Sequence, residues 1–219
     1  MHNIVQNLVD IQNKINSHLD EHKIDKVPKI IAVSKTFKIE KILPLIDHGH
    51  KHFGENKVQE AVDKWTEIKL SNPNIQLHLI GKLQTNKVKF ALKIFDYIHS
   101  VDSEKLAKKI SDEQIKINKK IKIFIQINIG QEDQKSGTNV NELSSLISYC
   151  NKINLDVVGL MCIPPINEDP VSYFEKMKKL NEENKFNELS MGMSSDYLKA
   201  AMNNATYLRI GSSIFGQRY

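Results

Sequence analysis

Lys35 follows the apolar run Ile30-Ile31-Ala32-Val33 after a single serine. An amine held against apolar walls loses solvation, its pKa falls, and it becomes a nucleophile suited to Schiff-base chemistry. Any one of the chain's 29 lysines is by default a solvated surface charge. This one is set apart by closing a run that reads as a buried strand.

A second candidate lies at Leu189-Ser190-Met191-Gly192-Met193-Ser194-Ser195-Asp196, where strand character gives way to helical character. Free backbone N–H groups at such a turn bind anions, so a phosphate site is expected around Met191, Gly192 and Ser194. The plainer alternative makes Ser194 or Ser195 an ordinary helix N-cap. Gly211-Ser212-Ser213 supplies another turn with backbone donors and hydroxyls. Arg209 precedes Gly211 by two residues, so strand alternation sends both to one side. It is one of two arginines in the chain, which points to a need for a rigid donor that keeps its proton, with an exposed ion pair as the alternative.

Other patterns carry less. His48-Gly49-His50-Lys51-His52 has metal-like spacing but no carboxylate or cysteine companion, enters its strand from the amino end, and reads as surface; no metal is expected. Gly192-Met193-Ser194-Ser195-Asp196 lacks the final glycine of a hydrolase nucleophile elbow. Ile80-Gly81-Lys82-Leu83-Gln84 lacks the second glycine of a phosphate-binding Walker loop, and no dinucleotide fingerprint occurs.

The elements that must hold these residues are short. Apolar runs at Lys29–Ser34, Lys51–Glu55, Leu77–Gly81, Tyr97–Val101, Lys122–Asn128, Asp156–Ile163, Glu188–Gly192 and Tyr207–Gly211 alternate with amphipathic, Lys/Glu-rich stretches such as Ile39–Asp47. Strands separated by helices imply a parallel sheet. Eight such units predict an α/β fold, a single (β/α)8 TIM-type barrel over residues 1–219. A doubly wound open sheet is the runner-up, because periodicity does not show closure. Only eight residues follow Gly211, so the N-terminal helix, Ile4 to about Leu19, is expected to cover the side that a full eighth helix would occupy. Gly54, Gly81, Gly130, Gly192 and Gly211 fall at carboxyl ends of strands, as do Lys35, Asn56 and Arg209, and that end of a barrel is where active sites are built.

Composition narrows the class. The net charge of +5 resides almost wholly in lysines interleaved with acidic residues, which reads as a solvated surface and argues against a nucleic-acid partner. No apolar stretch approaches the roughly 20 residues of a membrane helix. With two distant cysteines, Cys150 and Cys162, and no signal-peptide pattern, a reducing cytoplasm is expected.

The motifs Ala32-Val33-Ser34-Lys35-Thr36, Phe53-Gly54-Glu55-Asn56, His78-Leu79-Ile80-Gly81-Lys82-Leu83-Gln84, Asn128-Ile129-Gly130 with Lys135 and Gly137, Leu189-Ser190-Met191-Gly192-Met193-Ser194 and Arg209-Ile210-Gly211 occur in one order. Together they resemble the pyridoxal phosphate homeostasis protein family, which is similar to the barrel domain of alanine racemase. The resemblance runs from about Ile30 to Tyr219. It implies pyridoxal 5'-phosphate (PLP) as cofactor, Lys35 as the Schiff-base lysine, Arg209 as partner of the pyridine nitrogen, Ser194, Gly211 and Ser212 around the phosphate, and Asn56 lining the pocket. Phe37-Lys38, Lys57, Ser212 and Asn204 depart from the family's usual residues.

The resemblance implies a role in intracellular PLP (vitamin B6) homeostasis or cofactor supply, with small amines or amino acids and PLP-dependent apo-enzymes as partners and a monomer as the expected state. A guanidinium opposite the pyridine nitrogen disfavours its protonation and makes the ring a weaker electron sink. A racemase also needs a second base, and the chain ends just after the barrel, so little turnover is expected. A PLP-dependent amino-acid racemase and a serine hydrolase using Ser194 are the rival readings.

Overall fold

A computed structural model describes residues 3–132, 134 and 136–217. In chain order its elements are α1 (Asn3–Glu21), β1 (Lys29–Val33), α2 (Ile39–Asp47), β2 (His52–Glu55), α3 (Val58–Ser71), β3 (Gln76–Leu79), α4 (Val88–Ile94), β4 (Tyr97–Val101) and α5 (Glu104–Ile117). They continue with β5 (Lys122–Ile127), α6 (Leu143–Lys152), β6 (Asp156–Cys162), α7 (Val171–Glu183), β7 (Glu188–Ser190), α8 (Tyr197–Met202), β8 (Tyr207–Ile210) and α9 (Ser212–Phe215). The strands pair in sequence order, all parallel, and β1 pairs with β8, so the sheet closes and the open doubly wound alternative falls.

Most strands stop a residue or two earlier than the hydrophobic pattern extends. Ser34, Gly81, Asn128, Gly192 and Gly211 lie beyond the ladders, because at these ends the backbone turns out of the sheet to present side chains at the barrel mouth. At Gly192 the turn requires φ of +88°, a conformation that costs glycine little.

Period-two alternation divides each strand between two cores. Ile30 and Ala32 of β1 face the helices, whereas Ile31 faces the lumen with Tyr97, Phe124, Met161 and Tyr207. Near the amino-terminal end, Lys29 Nζ lies 4.9 Å from the Tyr207 ring centroid and Lys122 Nζ 5.4 Å from that of Tyr97. Their stems cover aromatic surface while the charges sit towards the rim.

Helix α1 covers the side of the barrel next to α8 and α9, as the sequence led one to expect. It packs against α2, α8 and α9 and buries Ile4, Val5, Leu8, Ile11, Ile15 and Leu19. The Asn7 side-chain amide donates to the Ile214 carbonyl at 2.9 Å. Burying each large aliphatic contributes about 1.5–3 kcal/mol, so this helix is an integral wall of the barrel. Among the described residues no helix is long and apolar enough to cross a membrane.

Candidate functional site

A cavity of about 480 Å³ opens at the carboxyl-terminal mouth, within the usual size for a cofactor. Lys35, Asn56, Arg209, Gly211 and Ser212 line it together with Val33, Ile80, Ile163, Met193 and Gln217. Five of the eight residues singled out from sequence therefore meet in one place. Two cationic side chains, a hydroxyl and two amides border this volume, with apolar walls and no carboxylate among the described lining residues. That donor set suits an anionic, flat, partly apolar molecule.

The turn that carries Lys35 is held from beneath by a buried ionic cluster. Ser34 Oγ donates to Glu55 Oε1 at 2.7 Å, and the Lys64 ammonium, on α3, reaches Glu55 Oε1 at 3.0 Å and the Ser34 carbonyl at 3.0 Å. Trp65 Nε1 donates to the same Glu55 oxygen at 3.0 Å. The Thr36 N–H donates to Glu60 Oε1 at 2.6 Å, and Thr36 adopts φ of +68°, strained for a β-branched residue. Backbone strain of this kind persists only where the surroundings over-determine it. Lys64 was indistinguishable in sequence from the other lysines, since its value comes from Glu55 on a different element.

Glu55 is fully buried and Lys64 is 9% exposed. Replacing Lys64 by Met leaves the Glu55 charge uncompensated, and breaking a buried pair in this way costs about 3–5 kcal/mol. Urea unfolding of Lys64→Met should show that loss; a change under about 1 kcal/mol would mean that the cluster is solvated.

Arg209 is 4% exposed and anchored twice: one terminal nitrogen donates to Ser190 Oγ at 2.7 Å and the other to the Cys162 carbonyl at 2.8 Å. Burial lowers its pKa from the ordinary arginine value. Beside it, Ser194 Oγ accepts from the Gly211 and Ser213 N–H groups, each at 3.3 Å, which ties the two proposed anion-binding turns together. The N-cap reading of Ser194 or Ser195 does not hold: α8 begins only after Asp196, whose carboxylate accepts from the Met193 N–H. No histidine is hydrogen-bonded to Ser194 among the described residues, so the histidine base that activates a typical hydrolase serine is not placed beside it. The Met191 side chain is buried in the helix-facing core, and Gly192 packs its α-carbon towards Ala200 and Leu208; neither lines the cavity. Gly81 positions Asn56, since a Cβ there would meet the Asn56 carbonyl oxygen at 2.4 Å.

With this geometry established, residues 7–219 match the model of the alanine racemase N-terminal domain family. The chain is 38% identical to the pyridoxal phosphate homeostasis protein of Aquifex aeolicus, over 87% of each chain. It is 35% identical to that of Pasteurella multocida, over 98% of this chain and 97% of the other. This chain belongs to the pyridoxal phosphate homeostasis protein family. The crystal structure of PipY of Synechococcus elongatus, with PLP bound, superposes with a TM-score of 0.80 at 32% identity, covering 92% of this chain and 100% of that one.

Phe37 stacks on Phe215 of α9, with ring centroids 5.0 Å apart. Asn204 takes φ of +62°, which asparagine tolerates where the family often has glycine. Ser212 retains a hydroxyl on the cavity wall, and Lys57 is exposed ahead of α3. Lys135, part of the family motif, lies outside the described residues.

One reading of the sequence needs correction. His48 is exposed, but His50 and His52 are half-buried, and His52 turns into the barrel to bond His78. Burial pushes both His50 and His52 down to about 4. The motif was misjudged because alternation within β2 sends His52 to the lumen, and nothing local distinguishes lumen from solvent. Both cysteines are buried free thiols, and burial pushes Cys162 up to about 12, which keeps it unreactive.

Proposed function

We propose that this chain holds PLP at the carboxyl-terminal mouth of its barrel, anchored covalently on Lys35, and serves intracellular PLP homeostasis or cofactor supply, with small amines or amino acids as partners and transfer to PLP-dependent apo-enzymes. The observation that carries this reading is the cavity shared by the Lys35 amine, the buried Arg209 guanidinium and the Ser212 hydroxyl, with Ser194 bridging the turns beside it. The PLP-bound relative supports the same ligand.

PLP supplies a reactive aldehyde, an aromatic ring and a phosphate. With PLP bound, Lys35 would be the residue that holds its aldehyde carbon covalently, with water as the group released. Arg209, held by Ser190 and the Cys162 carbonyl, would present a permanent cation to the ring nitrogen and disfavour its protonation. The Ser212 and Ser194 hydroxyls would hold the phosphate, while Val33, Ile80 and Ile163 would exclude water from the ring. Among the described lining residues there is one amine, Lys35, and no carboxylate or imidazole, whereas racemisation needs a base on each face of the substrate. That favours holding over turnover.

The test separates phosphate recognition from ring recognition. The Ser194→Ala/Ser212→Ala double variant should bind PLP at least about tenfold more weakly and pyridoxal nearly unchanged, because charge-assisted hydrogen bonds are each worth about 1.5–3 kcal/mol. Equal weakening for both ligands would move the phosphate elsewhere, and a wild-type protein that binds no PLP would end the proposal.

A further inference from the structure

Behind Arg209 the barrel contains a continuous file of polar side chains. Arg209 donates to Ser190 Oγ at 2.7 Å, Ser190 Oγ lies 2.9 Å from His99 Nδ1, His99 Nε2 lies 2.9 Å from His78 Nδ1, and His78 Nε2 lies 3.0 Å from His52 Nδ1. Ser190, His99 and His78 are fully buried. They occupy lumen positions that barrels ordinarily fill with branched apolar residues.

We propose that Ser190, His99 and His78 are positioning residues for Arg209, joined to its guanidinium as one directional hydrogen-bonded file. The proposal rests on reading Arg209 as a cofactor-facing group. Its direction follows from the donors available. Arginine only donates, so Ser190 Oγ accepts from it; the serine proton then goes to His99 Nδ1, leaving His99 Nε2–H to donate to His78 Nδ1 and His78 Nε2–H to donate to His52 Nδ1. Reversing the file would give Ser190 two donors and leave its own proton without a hydrogen-bond acceptor among the described residues. Each imidazole is neutral, because burial holds His78 and His99 well below 6.5 and the Arg209 charge acts further on His99. Linked dipoles in a low-dielectric interior polarise one another, so the file strengthens the acceptor that faces the guanidinium. Ring contacts leave little freedom to reorient: His99 stacks on Phe124 at 4.2 Å and His78 on Tyr97 at 4.3 Å between centroids.

The experiment has two arms on the full-length chain. In ligand-free protein at pH 7, side-chain ¹⁵N NMR should show His78 and His99 as neutral Nε2–H tautomers. Arg209→Lys should shift both sets of resonances, and Ser212→Ala, in the same cavity but off the file, should leave them in place. In the second arm PLP is added. Ser190→Ala should weaken PLP binding about tenfold, the effect of one charge-assisted hydrogen bond, and move the absorption maximum of bound PLP, with Ser190→Thr restoring both. If Ser190→Ala does not fold, His99→Gln replaces it with the same expected shift. Nδ1–H tautomers, or His resonances indifferent to Arg209→Lys, would overturn the file. An unchanged spectrum and affinity in folded Ser190→Ala would overturn its positioning role. Should the wild type bind no PLP, the functional reading fails, and the positioning role fails with it, while the NMR arm still decides whether the file exists.

Discussion

Lys35→Ala should abolish covalent capture of PLP. Wild-type protein incubated with PLP and reduced with borohydride should gain one pyridoxyl-phosphate mass per chain, mapped to the peptide containing Lys35, and the variant should gain none there. The selectivity is a matter of place: the chain has 29 lysines, and one of them lines the cavity among the described residues. The other described lysines do not share that cavity with Arg209 and Ser212, and holding two reactants in one orientation is what gives an intramolecular reaction its advantage. The variant should still bind PLP reversibly through Ser194, Ser212 and Arg209, so covalent and total binding should part company. An adduct mapped to another lysine in the wild type would refute the assignment of Lys35.

Acid should unfold this protein before its carboxylates titrate. Burial is the first cause that pushes His78 and His99 well below 6.5, and it brings His50 and His52 to about 4. In the unfolded chain the same rings titrate near the ordinary histidine value of about 6.5. Between these values the unfolded chain binds more protons than the native one, so stability is full above about pH 6.5 and falls as pH drops below it. Each such histidine costs about 1.4 kcal/mol per pH unit, and the two fully buried rings together about 3. Against a total stability of about 5–15 kcal/mol, two pH units are enough to matter greatly. Carboxylates held low, such as Glu60 by the Thr36 N–H and Lys64, act in a separate window below about 4.5, where their pairing is lost. Urea melts at constant ionic strength from pH 8 to 5 should show this slope, and His99→Leu should flatten it by about one proton. A stability independent of pH between 6.5 and 5 would mean that the rings are hydrated.

The barrel was legible in the sequence because its causes are local. Ile30-Ile31-Ala32-Val33 is a run that both cores of a closed parallel sheet can bury, and the apolar face of α1 (Ile4, Val5, Leu8, Ile11, Ile15 and Leu19) is periodic enough to be read as a buried wall helix. Lys35, Arg209, Gly211 and Ser212 were legible for the same reason, since a parallel strand presents its carboxyl end to the mouth whatever its neighbours are. Tertiary structure alone decided the rest. Lys64 matters through Glu55 and Ser34, which belong to other elements. His52, His78 and His99 look unrelated in the sequence, 26 and 21 residues apart, and Ser190 lies 91 residues beyond His99. They meet because closure of the sheet sets the lumen faces of β2, β3, β4 and β7 around one axis. The physical reason is that hydrophobic periodicity records which face of a strand is buried, whereas a hydrogen bond across the lumen depends on the register and curvature of strands that are distant in the chain.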